Sequence, residues 1–503
     1  MATQAIPAAA TPEVFVRKSS GLVRVMSPSS AFVYNVLTMG LIFPWTYLWA
    51  PGALPGGRLV EGILLAMILE IPIALSYVWL STAFPRTGGD YVFQSRVFGG
   101  GLAFTIVFSG FVIWILQWVA LSGWLLATLG FAPLFLGLGA SLKNAGMVDV
   151  AAWFTTPTGI IVTSIANAGI ALVILASGFR NYVRVQRVMW VAILVSFATM
   201  LIVLATLLIA PIAWTSLQWA TYSSQQNGEI KSAGSFRNQA FIIVGALVLT
   251  GLLLALLAFV LEGAVGSQFL YVAGSGYWSG VSEASLAGSY LWPNILATAI
   301  AFNPLVTLLI AAGFILNGHQ IVHNCYIGMT RVMVAMSFDR LLPEWVSRVS
   351  DRFHTPVNAH VVYFVASIPV IWLYNNFSYG DSTWTSLTLG VTFACGYVFV
   401  ATALAGALLP YRAKAAYDAS PGAKYTLGGL PLVTIIGLLG SAAGVVFLYM
   451  FITNAQLGLT TQLANTVVGG VLLFSAAWYL IAKQVRRSRG IDVSFAFKEI
   501  PPE

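Results

Sequence analysis

Phe84-Pro85-Arg86-Thr87-Gly88-Gly89-Asp90-Tyr91 is a short polar stretch between two long apolar runs, continuing to Ser95-Arg96-Val97-Phe98-Gly99 before the second run begins. Pro85 cannot continue a helix, and paired glycines let the backbone turn where a side chain would clash. The stretch therefore reads as a connector between two membrane spans. Outward from it the chain is overwhelmingly apolar: 58% hydrophobic, mean hydropathy +0.86 and only 8% charged, against about 25% charged in an ordinary soluble domain. One soluble core could not hide that much apolar surface, so the chain reads as an all-α polytopic membrane protein. Aromatics at 13%, with 16 Trp, suit belts at the two membrane interfaces.

A span needs about 20 mostly apolar residues. Such runs lie near 31–50, 59–84, 100–138, 158–178, 188–209, 238–263, 292–325, 358–375, 385–409, 429–453 and 463–483. No charged residue occurs between Arg187 and Glu229, an interval that fits two spans with a tight turn near Ala210-Pro211. About twelve transmembrane helices result. With that count, all 24 Lys and Arg except Arg58 and Lys143 fall on one side; with a single span there, the later basic loops change sides. Positive loops mark the cytoplasm, so both termini are expected there, in a multi-pass protein of the plasma membrane. The net charge of +8 then reads as solvated loops that fix orientation, with the lipid bilayer and no nucleic acid as partner. Residues 1–30 lack the short apolar core of a secretory signal and read as a cytoplasmic tail. Cys325 and Cys395 lie in or beside apolar runs and read as packed small hydrophobes.

Further strings follow the connector in order. They are Gly178-Phe179-Arg180-Asn181 with Val185-Gln186-Arg187, then Gly228-Glu229-Ile230-Lys231, then Arg331 through Ala335-Met336 to Asp339-Arg340-Leu341-Leu342-Pro343. Thr355-Pro356-Val357-Asn358-Ala359, Leu409-Pro410-Tyr411-Arg412 and Gly428-Gly429-Leu430-Pro431 complete the series. Together with Pro85-Arg86-Thr87-Gly88-Gly89-Asp90-Tyr91, they resemble motifs of the amino acid–polyamine–organocation transporter superfamily, over residues 30 to 440. The resemblance implies a LeuT-like architecture, a 5+5 inverted repeat plus two peripheral helices. It divides the chain into the tail 1–30, helices one to five in 31–210, helices six to ten in 211–410, helices eleven and twelve in 411–484, and a cytoplasmic tail 485–503.

The resemblance also implies a substrate site where helices one and six unwind. A broken helix frees N–H and C=O groups that can hold a carboxylate and a cation in a dry medium, and irregular backbone at that depth must line a cavity. In helix one the matching residues are Thr38, Met39, Gly40 and Leu41, with Pro44 beyond; in helix six they are Trp214, Thr215, Ser216 and Trp219. Trp114 and Trp118 share one face of helix three and either wall that site or meet lipid.

Three positions stand out as coupling or gating groups. Glu70 sits inside Leu-Leu-Ala-Met-Ile-Leu-Glu-Ile-Pro-Ile, where an intramembrane carboxyl is costly; it is either functional or a protonated carboxyl bonded to a neighbouring helix. His319 and His323, spaced i, i+4, read as a polar inner gate towards the cytoplasmic end of helix eight. No third ligand accompanies them, so no metal is expected. Asn303 and Thr307, earlier in helix eight, are candidates for an ion or substrate contact. The expected function is a secondary transporter moving amino acids or small organic amines by alternating access. Alternatives are a non-transporting amino-acid sensor of the same fold and an uncoupled exchanger. No phosphate-binding Gly-x-x-x-x-Gly-Lys-Ser/Thr occurs, and no convergent catalytic set suggests an enzyme. No cofactor is expected; the coupling ion, H+ or Na+, and the oligomeric state stay open.

Overall fold

The computed structural model describes residues 21–41, 47, 51–52, 57–205, 217–279, 285–286, 289–379, 382–454 and 459–498. Ten of the described helices are long and apolar enough to cross a membrane. Strand is confined there to three hairpins of two residues per strand. Hydrocarbon offers backbone groups no water, so each span must satisfy its own N–H and C=O groups, and a helix does so. The protein is an all-α polytopic membrane protein.

The first helix, α1 (Pro28–Met39), is short. It is followed by α2 (Leu59–Ala83), α3 (Gly89–Phe98), α4 (Gly100–Ser141), α5 (Pro157–Ala176) and α6 (Phe179–Ala205). A 3-10 segment, Leu217–Glu229, precedes α7 (Phe236–Val265) and α8 (Pro304–Phe338). The chain then forms α9 (Val357–Asn376), α10 (Thr388–Arg412), α11 (Leu432–Thr453) and α12 (Gln462–Arg487). The two remaining expected helices correspond to α1 and to the interval ending in the 3-10 segment. The Ala210-Pro211 turn lies outside the described residues.

One apolar run is divided differently from expectation. The run 292–325 splits into Pro293–Ala301 and α8 because Phe302 is left-handed (φ 42°), Asn303 caps the next helix and Pro304 occupies its first turn. At its other end α8 continues through Arg331 to Phe338, since that charge is neutralised inside the protein by Glu229. His319 and His323 consequently fall in the middle of α8, not towards its end.

The basic segments gather at one end of the bundle. Met26 N donates to Glu229 O (3.1 Å) and Lys231 N to Met26 O (2.9 Å), tying the segment before α1 to the one after the 3-10 turn. Five charged residues of this end are not the solvated groups expected of loops. Arg96 donates to both oxygens of Asp339 (2.8 and 3.2 Å), and Asp339 also accepts from the Tyr91 hydroxyl (2.9 Å). Arg331 donates to both oxygens of Glu229 (2.8 and 2.9 Å). Asp90 is fully buried and accepts from the Tyr77 hydroxyl, the Gln225 amide and the Thr402 hydroxyl (2.5 Å). Burial pushes the Asp90 carboxyl up to about 6, against the pull of these three donors. The two arginines are paired with carboxylates and Asp90 is met by three hydrogen-bond donors, since a buried charge left alone would cost several kcal/mol.

The glycines of the connector serve this closure. Gly88 has φ +107°, and a Cβ there would lie 2.4 Å from the Ala335 Cβ of α8. Gly88→Ala therefore meets both a disfavoured backbone and a clash. It should lower unfolding free energy by about 2 kcal/mol or more, read as a fall in melting temperature of the detergent-solubilised protein.

Candidate functional site

Serine at position 27 caps α1 by accepting from Ser30 N (3.1 Å), and the helix stops at Gly40, whose N–H still reaches Val36 O (3.1 Å). The Gly40 backbone, φ 79° and ψ 100°, is one that glycine adopts without Cβ strain. Past the last turn, the final carbonyls of α1 lack partners within the helix. Thr38, just before the break, donates to Tyr34 O (2.6 Å), and Met39 and Leu41 are buried beside it.

The 3-10 segment Leu217–Glu229 lies against α1. Asn35 joins them: its amide donates to Ser223 Oγ (3.0 Å) and Ile242 O (2.8 Å), and its oxygen accepts from Ser223 N (2.8 Å). The Tyr34 and Tyr222 rings stack at 6.4 Å. Two irregular backbones, one ending at Gly40 and one in 3-10 geometry, are thus locked together by a single buried amide.

Between them, α4 and α8 sits a cavity of about 20 Å³. Thr38 contributes from α1, Ile115 and Trp118 from α4, Trp219 and Tyr222 from the 3-10 segment, and Asn324 from α8. Trp118 and Trp219 meet edge to face at 5.4 Å, and Trp219 also meets Tyr222 (5.5 Å) and Phe399 (5.9 Å). The space holds one water, far below the ~300 Å³ or more of a pocket for an organic ligand. At this size the cavity has no room for an organic solute while Trp118 and Trp219 stay in contact.

Polar groups wait at its edge. Gln320 donates to Tyr182 Oη (2.8 Å) and to Asn324 Oδ1 (2.7 Å), while the Asn324 amide nitrogen and the Tyr222 hydroxyl are buried without hydrogen-bond partners. A solute bearing both acceptors and donors would satisfy them.

The structure brings Thr38 and Trp219 together in the cavity wall, Gly40 ends α1 two residues beyond Thr38, and Met39 and Leu41 are buried. Trp214, Thr215 and Ser216 lie outside the described residues. Asn303 is exposed and spends its side-chain oxygen on Leu305 N and Val306 N (2.9 and 3.3 Å), so it caps α8. His319 shares Nδ1 with Asn167 Oδ1 (2.6 Å) and meets His323 at 4.4 Å. His323 is fully buried and neither ring nitrogen has a hydrogen-bond partner. Among the described residues no group of three or more His, Cys, Asp or Glu is placed to hold a metal. Glu70 is buried in a separate cavity between α2, α10 and α11.

Sequence reasoning missed Asn35, Gln320 and Asn324. The signal was present as lone amides in apolar helices, with Asn317, Gln320 and Asn324 spaced i, i+3, i+7 on one side of α8.

Residues 245–474 match the family model described as "Amino acid permease". Over that stretch, a little under half of the chain, the sequence is similar to the amino acid permease family. The family is part of the amino acid–polyamine–organocation superfamily, and the match takes in α8 to α11 entire, with Asn324 on one wall of the cavity. A stretch of 83 residues is 34% identical to uncharacterized protein 399 of Sulfolobus islandicus rod-shaped virus 1. It covers 16% of this chain and 21% of that protein, so the chain spans about a fifth of the relative's length.

Proposed function

We propose that this protein, similar to amino acid permeases over residues 245–474, is a secondary transporter for amino acids or related small organic amines, working by alternating access. The observation that carries the reading is the cavity where α1 breaks at Gly40 against the 3-10 segment. Freed carbonyls from α1 suit an ammonium group, and the Asn324 amide and Tyr222 hydroxyl suit a carboxylate. The aromatic contact of Trp118 and Trp219 is the barrier a solute must open. In this reading the basic end faces the cytoplasm, residues 31–210 and 211–410 form the two inverted repeats, and the ion pairs Arg96–Asp339 and Arg331–Glu229 keep that end shut. Glu70 and His319 belong to coupling or gating. The unwound turn of helix six, with Trp214, Thr215 and Ser216, supplies further contacts.

The test is a thermal-shift screen of the purified protein across amino acids and polyamines, with and without sodium. A bound solute stabilises the folded state by an amount set by its concentration over its affinity, about 2.7 kcal/mol at a hundredfold excess over Kd. A shift with an amino acid or amine is the expected result; its absence across the whole set would remove the substrate class. Counterflow of labelled hits in liposomes separates a transporter from a sensor, since a sensor binds without flux.

A further inference from the structure

Glu70 is 1% exposed, and its Oε1 has no hydrogen-bond partner. It faces a cavity of about 20 Å³ whose wall includes Ile73, Thr392, Gly396, Phe399 and Phe451, room for one water. Among the described residues no basic side chain forms an ion pair with it. The titratable groups on the surrounding helices are engaged or distant. On α10, Cys395 lies against Gly110 O (3.6 Å) and Tyr397 shares a hydrogen bond with Ser109 (2.8 Å); Tyr449 of α11 is exposed; Glu262 of α7 is half-buried near that helix's C-terminal end. On its own helix, Tyr77 lies two turns along the same face and donates to Asp90 at the basic end. An ionised carboxylate in so apolar a setting would cost several kcal/mol, a cost that a bound proton removes.

The cavity is not isolated. Phe399 forms part of its wall and also meets Trp219, the aromatic wall of the solute site, at 5.9 Å, and the Tyr77 ring at 6.2 Å. One ring therefore touches the carboxyl's cavity on one side and the solute barrier on the other. A displacement of Trp219 that admitted a solute would remove one of the ring contacts that hold Phe399 against the Glu70 cavity.

We infer that Glu70 is a proton-binding site linked through Phe399 to the solute cavity, so that one proton is carried on this carboxyl for each solute moved. The proton is bound at a Glu70 carboxylate oxygen when the cavity is dry and returns to water when the cavity is hydrated, with no other bond made or broken. The inference rests on the transport reading above for its coupling, but not for the proton itself.

Two measurements test it separately. Infrared titration of the purified protein should show a protonated-carboxyl C=O band at neutral pH that is absent from Glu70→Gln; an unchanged band in that variant overturns the site whatever the protein transports. In liposomes loaded with a labelled amino-acid mixture, counterflow should persist in Glu70→Gln. Accumulation driven by a gradient of about one pH unit, about tenfold for one proton per solute, should be lost in the variant. Glu70→Asp, which restores the carboxyl, should regain it with a displaced pH midpoint. Wild-type accumulation in Glu70→Gln, or counterflow without any gradient response in the unaltered protein, would overturn the coupling. If the unaltered protein moves no labelled amino acid in either mode, the transport reading fails while the infrared result still decides the proton site.

Discussion

Arg331→Met is expected to destabilise the folded protein by about 3–5 kcal/mol, the usual cost of removing one partner from a buried ion pair. Both side chains of the Arg331–Glu229 pair are fully buried. The guanidinium bridges both carboxylate oxygens at 2.8 and 2.9 Å, contacts His360 Nε2 at 3.2 Å and lies over the Phe179 ring at 5.1 Å. Methionine would fill much of the volume but leave the Glu229 carboxylate dry and uncompensated. The double variant Arg331→Met/Glu229→Gln should recover most of the loss, because removing both charges removes the penalty. Arg331→Lys should fall between, since an ammonium is not a planar fork. Melting temperature in detergent reads all three. For comparison, the exposed Lys414–Asp418 pair at 2.8 Å should matter by less than about 1 kcal/mol. If Arg331→Met costs no more than Lys414→Ala, the buried pair does not hold the basic end together.

Gly40→Val should abolish solute binding while leaving the protein folded. A β-branched residue at φ 79° is a genuine outlier, with a strain of about 1–3 kcal/mol. The chain relieves it by rotating into ordinary helical or extended backbone, either of which redirects the turn after Thr38. The cavity depends on that turn, since Thr38 is its contribution from α1. The measurement is the ligand-induced thermal shift: present in the parent, absent in the variant, with an unchanged size-exclusion peak. Gly40→Ala should lie between the two. An undiminished shift in Gly40→Val would place the solute site away from the end of α1.

Most spans were legible because long apolar runs end at residues that stop helices or carry charge. The run closing at Ala83 before Phe84-Pro85 is one case, and the run opening at Val357 after Thr355-Pro356 is another. Hydropathy failed at helix eight, where Phe302, Asn303 and Pro304 break an uninterrupted apolar run. Hydropathy averages over a window, whereas a cap is a matter of two or three residues. The buried ion pairs were illegible for another reason. Arg96 and Asp339 are separated by 243 residues and Arg331 and Glu229 by 102, and a charged residue in a connector looks alike whether it meets water or a distant partner. At the cavity Thr38 and Trp219 came from the resemblance, but Asn35 and Asn324 needed the three-dimensional packing.

The length of α8 has a mechanical consequence. Its 35 residues make a rod of about 52 Å at 1.5 Å per residue, longer than the roughly 30 Å hydrocarbon core. The capped Asn303 end and the Arg331 region are therefore parts of one lever, with the cavity residue Asn324 near its fulcrum. A tilt of about 10° about Asn324 carries Arg331, about 10 Å along the rod, through about 2 Å, enough to stretch its 2.8 and 2.9 Å contacts with Glu229 beyond hydrogen-bond range. Rocking a single stiff rod would thus break the bidentate contact at one end and shift the capped turn at the other, with little change around Asn324.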